Sequence, residues 1–284
     1  MAETSVPSVF HRRVGWLVLA ALLFLRIPFT IFVTYMFPAN SGWGPAIYQL
    51  GTYVLTACLV WWERNDWRTM HMDTLSVGII ILFKPVQTLV LYGLGVNTPA
   101  AFPRPAALVL WGAAAGLLLA LWFSRQRMGG IGGRAWAWLT CGLVTGIVFS
   151  ALRNFEIFQI NAVMSRPSSI SLPSVAASTG LAFLYQIGFA AISEEPLFRG
   201  FLWGYLRRAG WKEAWVWLVQ AAIFTSAHVY FMNALAFNFW IVVPLAGSIL
   251  GLFAWRTRSI APGMMAHAAY NASAYLILLR VLNF

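Results

Sequence analysis

The chain has 284 residues, of which 60% are hydrophobic and only 10% are Asp, Glu, Lys or Arg. Soluble domains carry roughly 25% charged residues, so this composition excludes an ordinary soluble protein and predicts an integral, multi-pass membrane protein. The formal net charge of +11 does not indicate a nucleic-acid partner, because the basic residues lie in short loops between apolar runs, where they act as topology signals.

Nine apolar runs reach the length that a membrane-spanning helix needs, about 20 residues. The first is too long for a signal-peptide core and precedes no A-x-A cleavage site, so we interpret it as a retained span. The sequence therefore predicts an all-α fold, a polytopic transmembrane bundle of about eight to nine helices in the lipid bilayer. The approximate bounds of the runs are 14–36, 45–62, 75–95, 105–123, 135–152, 175–203, 212–232, 237–255 and 259–281.

The loop charges predict which side of the membrane the N-terminus occupies. With the N-terminus inside, 13 basic residues fall in inner segments and 4 in outer segments, the asymmetry typical of a cytoplasmic N-terminus. Nine spans then place the C-terminus outside. Arg26 and Lys84 lie within spans, where we expect them to snorkel or to contact backbone carbonyls, with half of a separate pathway as the alternative. Cys58 and Cys141 also lie in apolar runs and are expected to be small buried residues.

The late apolar runs contain polar side chains that a bilayer disfavours. Glu194 and Glu195 interrupt the sixth run, His228 lies in the seventh, and His267 and Asn271 lie in the ninth. Counted along ideal helices from the inner turns, these groups lie at depths of roughly 14 to 25 Å. Because three helices carry polar groups to similar depth, the sequence predicts one shared site, and an intramembrane ionisable group is a functional hypothesis by default.

Helix phase separates the two adjacent glutamates. Glu195 and Arg199 are spaced i,i+4 with the acid first, the favourable order for an ion pair on one face. Glu194 points about 100° away and has no such local partner. We therefore interpret Glu195 as largely structural and Glu194 as the free carboxylate. Pro196 has no N–H to donate, so a kink or break near the acids is expected.

The clustered polar residues supply the two halves of an amide hydrolysis. A carboxylate and an imidazole, Glu194 and His228, can deprotonate a shared water. A second imidazole and an amide, His267 and Asn271, can donate hydrogen bonds to the oxyanion that forms. A zinc ion held by Glu194, His228 and His267 stays an alternative, because two histidines and a glutamate are a known zinc ligand set; otherwise no cofactor is expected.

Three short motifs resemble those of a known family. "EEPLFR" (194–199) fits E-E-x-x-x-R, "FTSAH" (224–228) fits F-x-x-x-H and "HAAYN" (267–271) fits H-x-x-x-N of the CAAX-protease and bacteriocin-processing family. The resemblance covers roughly residues 180–275, and the three motifs together are quite specific. It implies a catalytic core like that of the enzymes that trim prenylated CAAX proteins.

The resemblance also implies roles for the motif residues. Glu194 and His228 would activate water, and His267 and Asn271 would stabilise the oxyanion. The supporting motif positions are Glu195, Arg199 and Phe224.

We accordingly expect membrane spans of unassigned role over residues 1–174 and the catalytic core helices over residues 175–284, with the motifs within 194–271. The expected protein is an intramembrane endopeptidase of the bacterial inner (plasma) membrane, acting on a membrane-tethered protein or peptide. A proton-coupled transporter is the alternative, although it predicts repeated halves with paired broken helices, and a non-catalytic immunity or scaffold protein is a third class.

Overall fold

The computed structural model describes residues 9–36, 43–126, 131–161, 172–233 and 235–282. In this part of the chain every regular element is helical and no strand is present, which confirms the all-α prediction. The helices are α1 Val9–Phe24, α2 Thr30–Met36, α3 Trp43–Trp62, α4 Thr74–Gly93, α5 Pro105–Phe123, α6 Gly133–Asn161, α7 Leu172–Gln186, α8 Ile192–Glu195, α9 Trp203–Arg208, α10 Glu213–Ser226, α11 Val243–Thr257 and α12 Ala261–Leu282.

Six helical stretches in the described residues are long and apolar enough to cross a membrane. They correspond to six of the nine predicted runs, so the expected count of eight to nine spans is approximate. Two further runs form helices, α3 and α12, without meeting both criteria. The six stretches are Phe10–Thr34, Thr74–Gly93, Pro105–Phe123, Gly133–Asn154, Ala176–Arg208 and Asn238–Thr257.

The seventh predicted run, 212–232, is wrong at its C-terminal end. The helix α10 stops at Ser226 after 14 residues, which is shorter than the bilayer core requires. Side chains form hydrogen bonds with backbone carbonyls near the end of the helix. The hydroxyl of Thr225 donates to the Ala221 carbonyl, and Nδ1 of His228 lies against the Phe224 carbonyl. Such local bonds compete with a continuing helix, and His228 therefore lies in the turn that follows α10.

Four short π-helical segments widen the long helices in the part of the chain that the structure describes. They span Leu25–Phe29, Ile187–Ala191, Pro196–Leu202 and Asn238–Val242. Two of them contain a proline, Pro28 or Pro196, whose missing N–H disrupts the ordinary α ladder. The break expected at Pro196 is therefore a wider turn in a continuous helix, and π turns of this kind occur frequently at functional sites.

The helices α6 and α12 pack closely because two glycines of α6 face α12. A Cβ added at Gly142 would overlap the carbonyl oxygen of Pro262, and one at Gly146 would overlap that of Ala266. Glycines four residues apart allow two membrane helices to approach to backbone contact. This contact fixes the position of α12, which carries His267 and Asn271.

One end of the bundle is held by ion pairs between connections that are distant in sequence. Arg208 at the end of α9 contacts the carboxylates of Glu63 and Asp66, at 2.6 Å each. Arg258, between α11 and α12, contacts Glu213 and the ring of His71, at 3.1 Å each. The α3–α4, α9–α10 and α11–α12 connections therefore lie at the same end of the molecule.

The two cysteines differ from expectation. Cys58 in α3 and Cys141 in α6 are both exposed rather than buried, because each lies on the outward face of its helix. The main core instead contains large side chains from both halves of the chain, such as Tyr53, Met70, Phe198 and Phe201. The N-terminal and C-terminal helices therefore share one hydrophobic core.

Candidate active site

The structure brings the three predicted ionisable groups together. The Oε2 atom of Glu194 lies 3.5 Å from Nε2 of His228 and 3.9 Å from Nε2 of His267. The carboxylate belongs to α8, the first imidazole to the turn after α10 and the second to α12. Each residue is 6% exposed. Two imidazole nitrogens and one carboxylate oxygen thus face a common point inside the bundle.

Hydrogen bonding fixes the ring of His228. Its Nδ1 atom lies 2.8 Å from the backbone carbonyl of Phe224, and a carbonyl oxygen can only accept, so Nδ1 carries the proton. In the neutral ring Nε2 is then an acceptor that points toward Glu194. The F-x-x-x-H spacing therefore has a structural explanation: the histidine ring contacts the backbone carbonyl of the phenylalanine four residues earlier.

Glu195 contacts two partners through one oxygen. Its Oε1 atom accepts from Nη1 of Arg199 at 3.1 Å, and Nδ1 of His267 lies 2.9 Å from the same oxygen. The i,i+4 ion pair that the spacing predicts is present, with both side chains fully buried. The description of Glu195 as largely structural is incomplete, because this carboxylate also orients the ring of His267.

The other motif residues complete the wall of the site. The ring of Phe224 lies under the guanidinium of Arg199, with 4.0 Å from the guanidinium carbon to the ring centroid. The second terminal nitrogen of Arg199 donates to the carbonyl of Gly247 at 3.3 Å. Asn271, one turn beyond His267, lines the same cavity as Glu194 and the two histidines. The structure therefore places all seven predicted site residues in or against one site.

A cavity of about 250 Å³ contains these polar groups at its inner surface. Most of the remaining wall is apolar, and an apolar cavity with a few convergent polar groups is the usual form of a ligand site. The Tyr270 hydroxyl donates to Asn238 at 2.7 Å and so keeps that ring in the wall. The aromatic residues of the wall are Phe149, Phe189, Phe224, Tyr230, Phe231 and Tyr270.

The sequence analysis did not assign Arg26, in the first helical stretch, to the site. Its guanidinium donates to the backbone carbonyl of Ala227 at 3.0 Å, as expected for a buried arginine, but it also contacts Glu194 and His228 at 3.0 Å each. Glu194 is therefore paired with a distant cation rather than free. The sequence signal was an arginine in an apolar run two residues before Pro28, with no acid nearby in the sequence.

The described residues contain no group of three or more His, Cys, Asp or Glu side chains arranged to hold a metal ion. In the proposed zinc set, Nε2 of His228 already accepts a hydrogen bond from Arg26, and a zinc ion would need that nitrogen as a ligand. The geometry of the described residues thus does not fit zinc unless Arg26 moves, and the alternative stays a prediction.

Comparison with known proteins identifies one family. Residues 176–273 match the family described as Type II CAAX prenyl endopeptidase Rce1-like, a segment of about one third of the chain that includes all three motifs. Neither the curated proteins nor the solved structures contain a match. Residues 176–273 of this integral membrane protein are therefore similar to the Type II CAAX prenyl endopeptidase Rce1-like family, the resemblance that the motifs at Glu194, Phe224 and His267 indicated.

Proposed function

We propose that this protein is an intramembrane endopeptidase that hydrolyses a peptide bond in a membrane-associated protein or peptide. The observation that carries the proposal is the approach of Glu194 Oε2 to the Nε2 atoms of His228 and His267, at 3.5 and 3.9 Å, in the wall of an apolar cavity. This Oε2 atom accepts no hydrogen bond from the described residues. A buried carboxylate oxygen ordinarily has a hydrogen-bond partner. Because Oε2 of Glu194 has none in the described part of the chain, it is well suited to accept a proton from a reacting water.

The carboxylate of Glu194 takes the proton of the water as the water oxygen attacks the substrate carbonyl carbon. A carbon–oxygen bond forms, and the carbonyl electron pair moves onto the oxygen to give a tetrahedral oxyanion. The proton on Glu194 then passes to the amide nitrogen as the carbon–nitrogen bond breaks. His228 borders the same water, and its Nδ1 bond to Phe224 keeps the ring in place through these steps.

His267 and Asn271 stabilise the oxyanion in this proposal. Nδ1 of His267 faces the carboxylate of Glu195 at 2.9 Å, so its Nε2 can also donate when the ring carries both protons, and Glu195 compensates the resulting charge. The amide of Asn271 is a second donor one helical turn away. Donors that are fixed before the reaction are worth about 2.7–4 kcal/mol each in the transition state of comparable acyl transfers.

The substrate is proposed to be a membrane-tethered tail, because the cavity is apolar and lies within the helical bundle. A prenylated tail is one option, in keeping with the description of the matching family. We place the N-terminus of the enzyme in the cytoplasm, on the asymmetry of the loop charges.

Substitution of Glu194 tests the proposal. Wild-type protein in proteoliposomes is assayed against quenched fluorescent peptides with and without a farnesylated cysteine, and peptides released from native membranes are identified by mass spectrometry. We expect Glu194→Gln to lower kcat at least about 1,000-fold, since the base is lost while the shape of the side chain is kept. Asp66→Asn, at the far ion-paired end, is the control and should retain activity within about threefold.

Two outcomes of this experiment would reject the proteolysis proposal. One is turnover by Glu194→Gln equal to that of wild type. The other is release of no peptide from any membrane or probe by a correctly folded wild-type protein.

A further inference from the structure

We infer that Arg26 is a positioning residue of this site, supplied by a helix outside the family-like region, and that it holds Glu194 in the orientation that serves the reacting water. The inference rests on the proposed function. Arg26 precedes the matched segment, residues 176–273, by 150 positions. The proposed catalytic core is thus incomplete without the first helical stretch.

The guanidinium of Arg26 joins two elements of the core. Nη1 donates to the carbonyl of Ala227, and Nη2 contacts both Oε1 of Glu194 and Nε2 of His228, all at 3.0 Å. The residue is only 2% exposed. Because the guanidinium is a rigid planar fork, these contacts fix the carboxylate and the imidazole relative to each other.

The contacts of Arg26 distinguish the two oxygens of Glu194. Oε1 is occupied by the guanidinium, whereas Oε2 accepts no hydrogen bond from the described residues and faces the two imidazoles. The acceptor nitrogen of His228 is also occupied by Arg26. The oxygen Oε2 is therefore the acceptor that the site presents to a water, and the carboxylate rather than the imidazole of His228 takes the proton.

The local fold of the first helical stretch directs Arg26 inward. The π-helical segment Leu25–Phe29 contains Pro28, which cannot donate to the carbonyl four residues earlier. The Thr30 hydroxyl donates to the carbonyl of Leu25 at 2.9 Å and satisfies one backbone group that the wider turn would leave free. The extra residue in the turn changes the helical phase, and Arg26 is the buried residue of the segment.

A guanidinium at this place permits two other roles. It could be purely structural, a buried cation that compensates Glu194 in the folded state, or it could be a latch that blocks the site and must move before turnover. The three roles predict different effects of removing the guanidinium. Loss of a positioning residue lowers kcat, loss of a structural residue lowers stability, and loss of a latch raises the rate of turnover.

The experiment compares Arg26→Met, Arg26→Lys and Glu194→Gln on the peptide that wild-type protein cleaves in proteoliposomes. We expect Arg26→Met to lower kcat about 100-fold with KM within about threefold of wild type, the pattern of a lost interaction at the chemical step. Arg26→Lys keeps the charge but not the fork, and should recover part of that loss, to about tenfold below wild type.

Lys84→Met is the matched control. Lys84 is also a buried cation of the N-terminal half, 3% exposed, and its Nζ atom donates to Gln49 at 3.3 Å. It lies 5.7 Å from the ring centroid of Phe189 in the cavity wall and makes no hydrogen bond to Glu194 or His228. Loss of a buried cation by itself should therefore change Tm in both Met variants, whereas the loss of kcat should be specific to Arg26→Met.

Each outcome decides one point. Wild-type kcat in Arg26→Met, with Glu194→Gln inactive, overturns the role of Arg26 and leaves the proposed function standing, whereas an active Glu194→Gln overturns the proposed function itself. Faster turnover by Arg26→Met identifies a latch and also overturns the inference. If Arg26→Met does not fold, Arg26→Lys decides: wild-type kcat and KM in that variant contradict a positioning role.

Discussion

At the scale of single residues, two buried glutamates are adjacent in sequence but have different surroundings. Glu195 and its partner Arg199 are both fully buried in the hydrophobic core. Glu194 borders the cavity, and the side chains of Glu194 and its partner Arg26 are 8% and 3% exposed. Removing one partner of a buried ion pair costs about 3–5 kcal/mol because the other charge stays uncompensated. The penalty is largest where no water can reach the remaining charge.

We therefore predict that Glu195→Gln destabilises the protein more than Glu194→Gln does. Loss of the charge at Glu195 strands the cation of Arg199 in the core and leaves one neutral amide oxygen to accept from both Arg199 and His267. The measurement is thermal unfolding in detergent, with yield as a second readout. The existence of the Arg26 pair reduces the contrast between the two variants, but equal Tm values for them would contradict the prediction.

At the scale of elements, the site depends on helices that pack more closely than side chains ordinarily allow. Gly142 and Gly146 of α6 contact backbone carbonyls of α12, and α12 carries His267 and Asn271. Within α12, a Cβ added at Gly263 would lie 2.7 Å from Oε2 of Glu195. The position of the proposed oxyanion donors, His267 and Asn271, therefore depends on glycines that have no polar group of their own.

Gly146→Ala tests this dependence. The added methyl would overlap the carbonyl of Ala266, which is backbone and cannot turn aside, so we expect a loss of about 1–3 kcal/mol of stability and a fall in kcat as α12 shifts. Gly116→Ala in α5 is the matched control, because a Cβ there meets no atom within 4 Å and alanine favours the helix. The experiment measures Tm and kcat of both variants; unchanged kcat in Gly146→Ala would show that the spacing of the two helices is not critical.

At the scale of the whole molecule, the cavity and the ion-paired connections have different chemistry. The cavity with its apolar wall lies within the helices, whereas one end of the bundle is a network of ion pairs between connections, in which Arg258 contacts the ring of His71. The backbone carbonyl of His71 accepts from the N–H of Ile260 at 2.9 Å, and its ring packs against Trp203. This end therefore joins three connections and contributes to the stability of the entire fold.

The pH dependence of unfolding should report on that network. Burial, assisted by the guanidinium of Arg258, lowers the pKa of His71 from 6.5 to about 4. Between these two pKa values the unfolded chain binds one more proton at His71 than the folded chain does. The stability that the neutral His71 contributes is therefore intact above pH 6.5 and is lost as the pH falls toward 4. His71→Asn should reduce the drop in Tm between pH 7 and pH 5, and asparagine tolerates the positive φ of 49° at this position. An identical drop in wild type and variant would contradict this prediction.

Periodicity and composition determined the class of this protein, because an apolar run of about 20 residues has few alternatives to a helix in a membrane. The motif spacings also predicted one local relation correctly: i and i+4 place Glu195 beside Arg199. The C-terminal end of α10 was harder to predict. The apolar run continues to residue 232, so the apolar pattern does not reveal that the helix ends at Ser226.

Only the tertiary structure decided which distant groups meet. Arg26 is separated from Glu194 by 168 positions in the sequence, and no periodicity relates the two. The packing of helices from the two halves of the chain brings them to 3.0 Å. The same packing gives Glu195 its second partner, His267, and places Gly146 against Ala266. Sequence alone determines contacts within one helical turn, whereas the contacts that orient this site arise where separate helices bury their surfaces against one another.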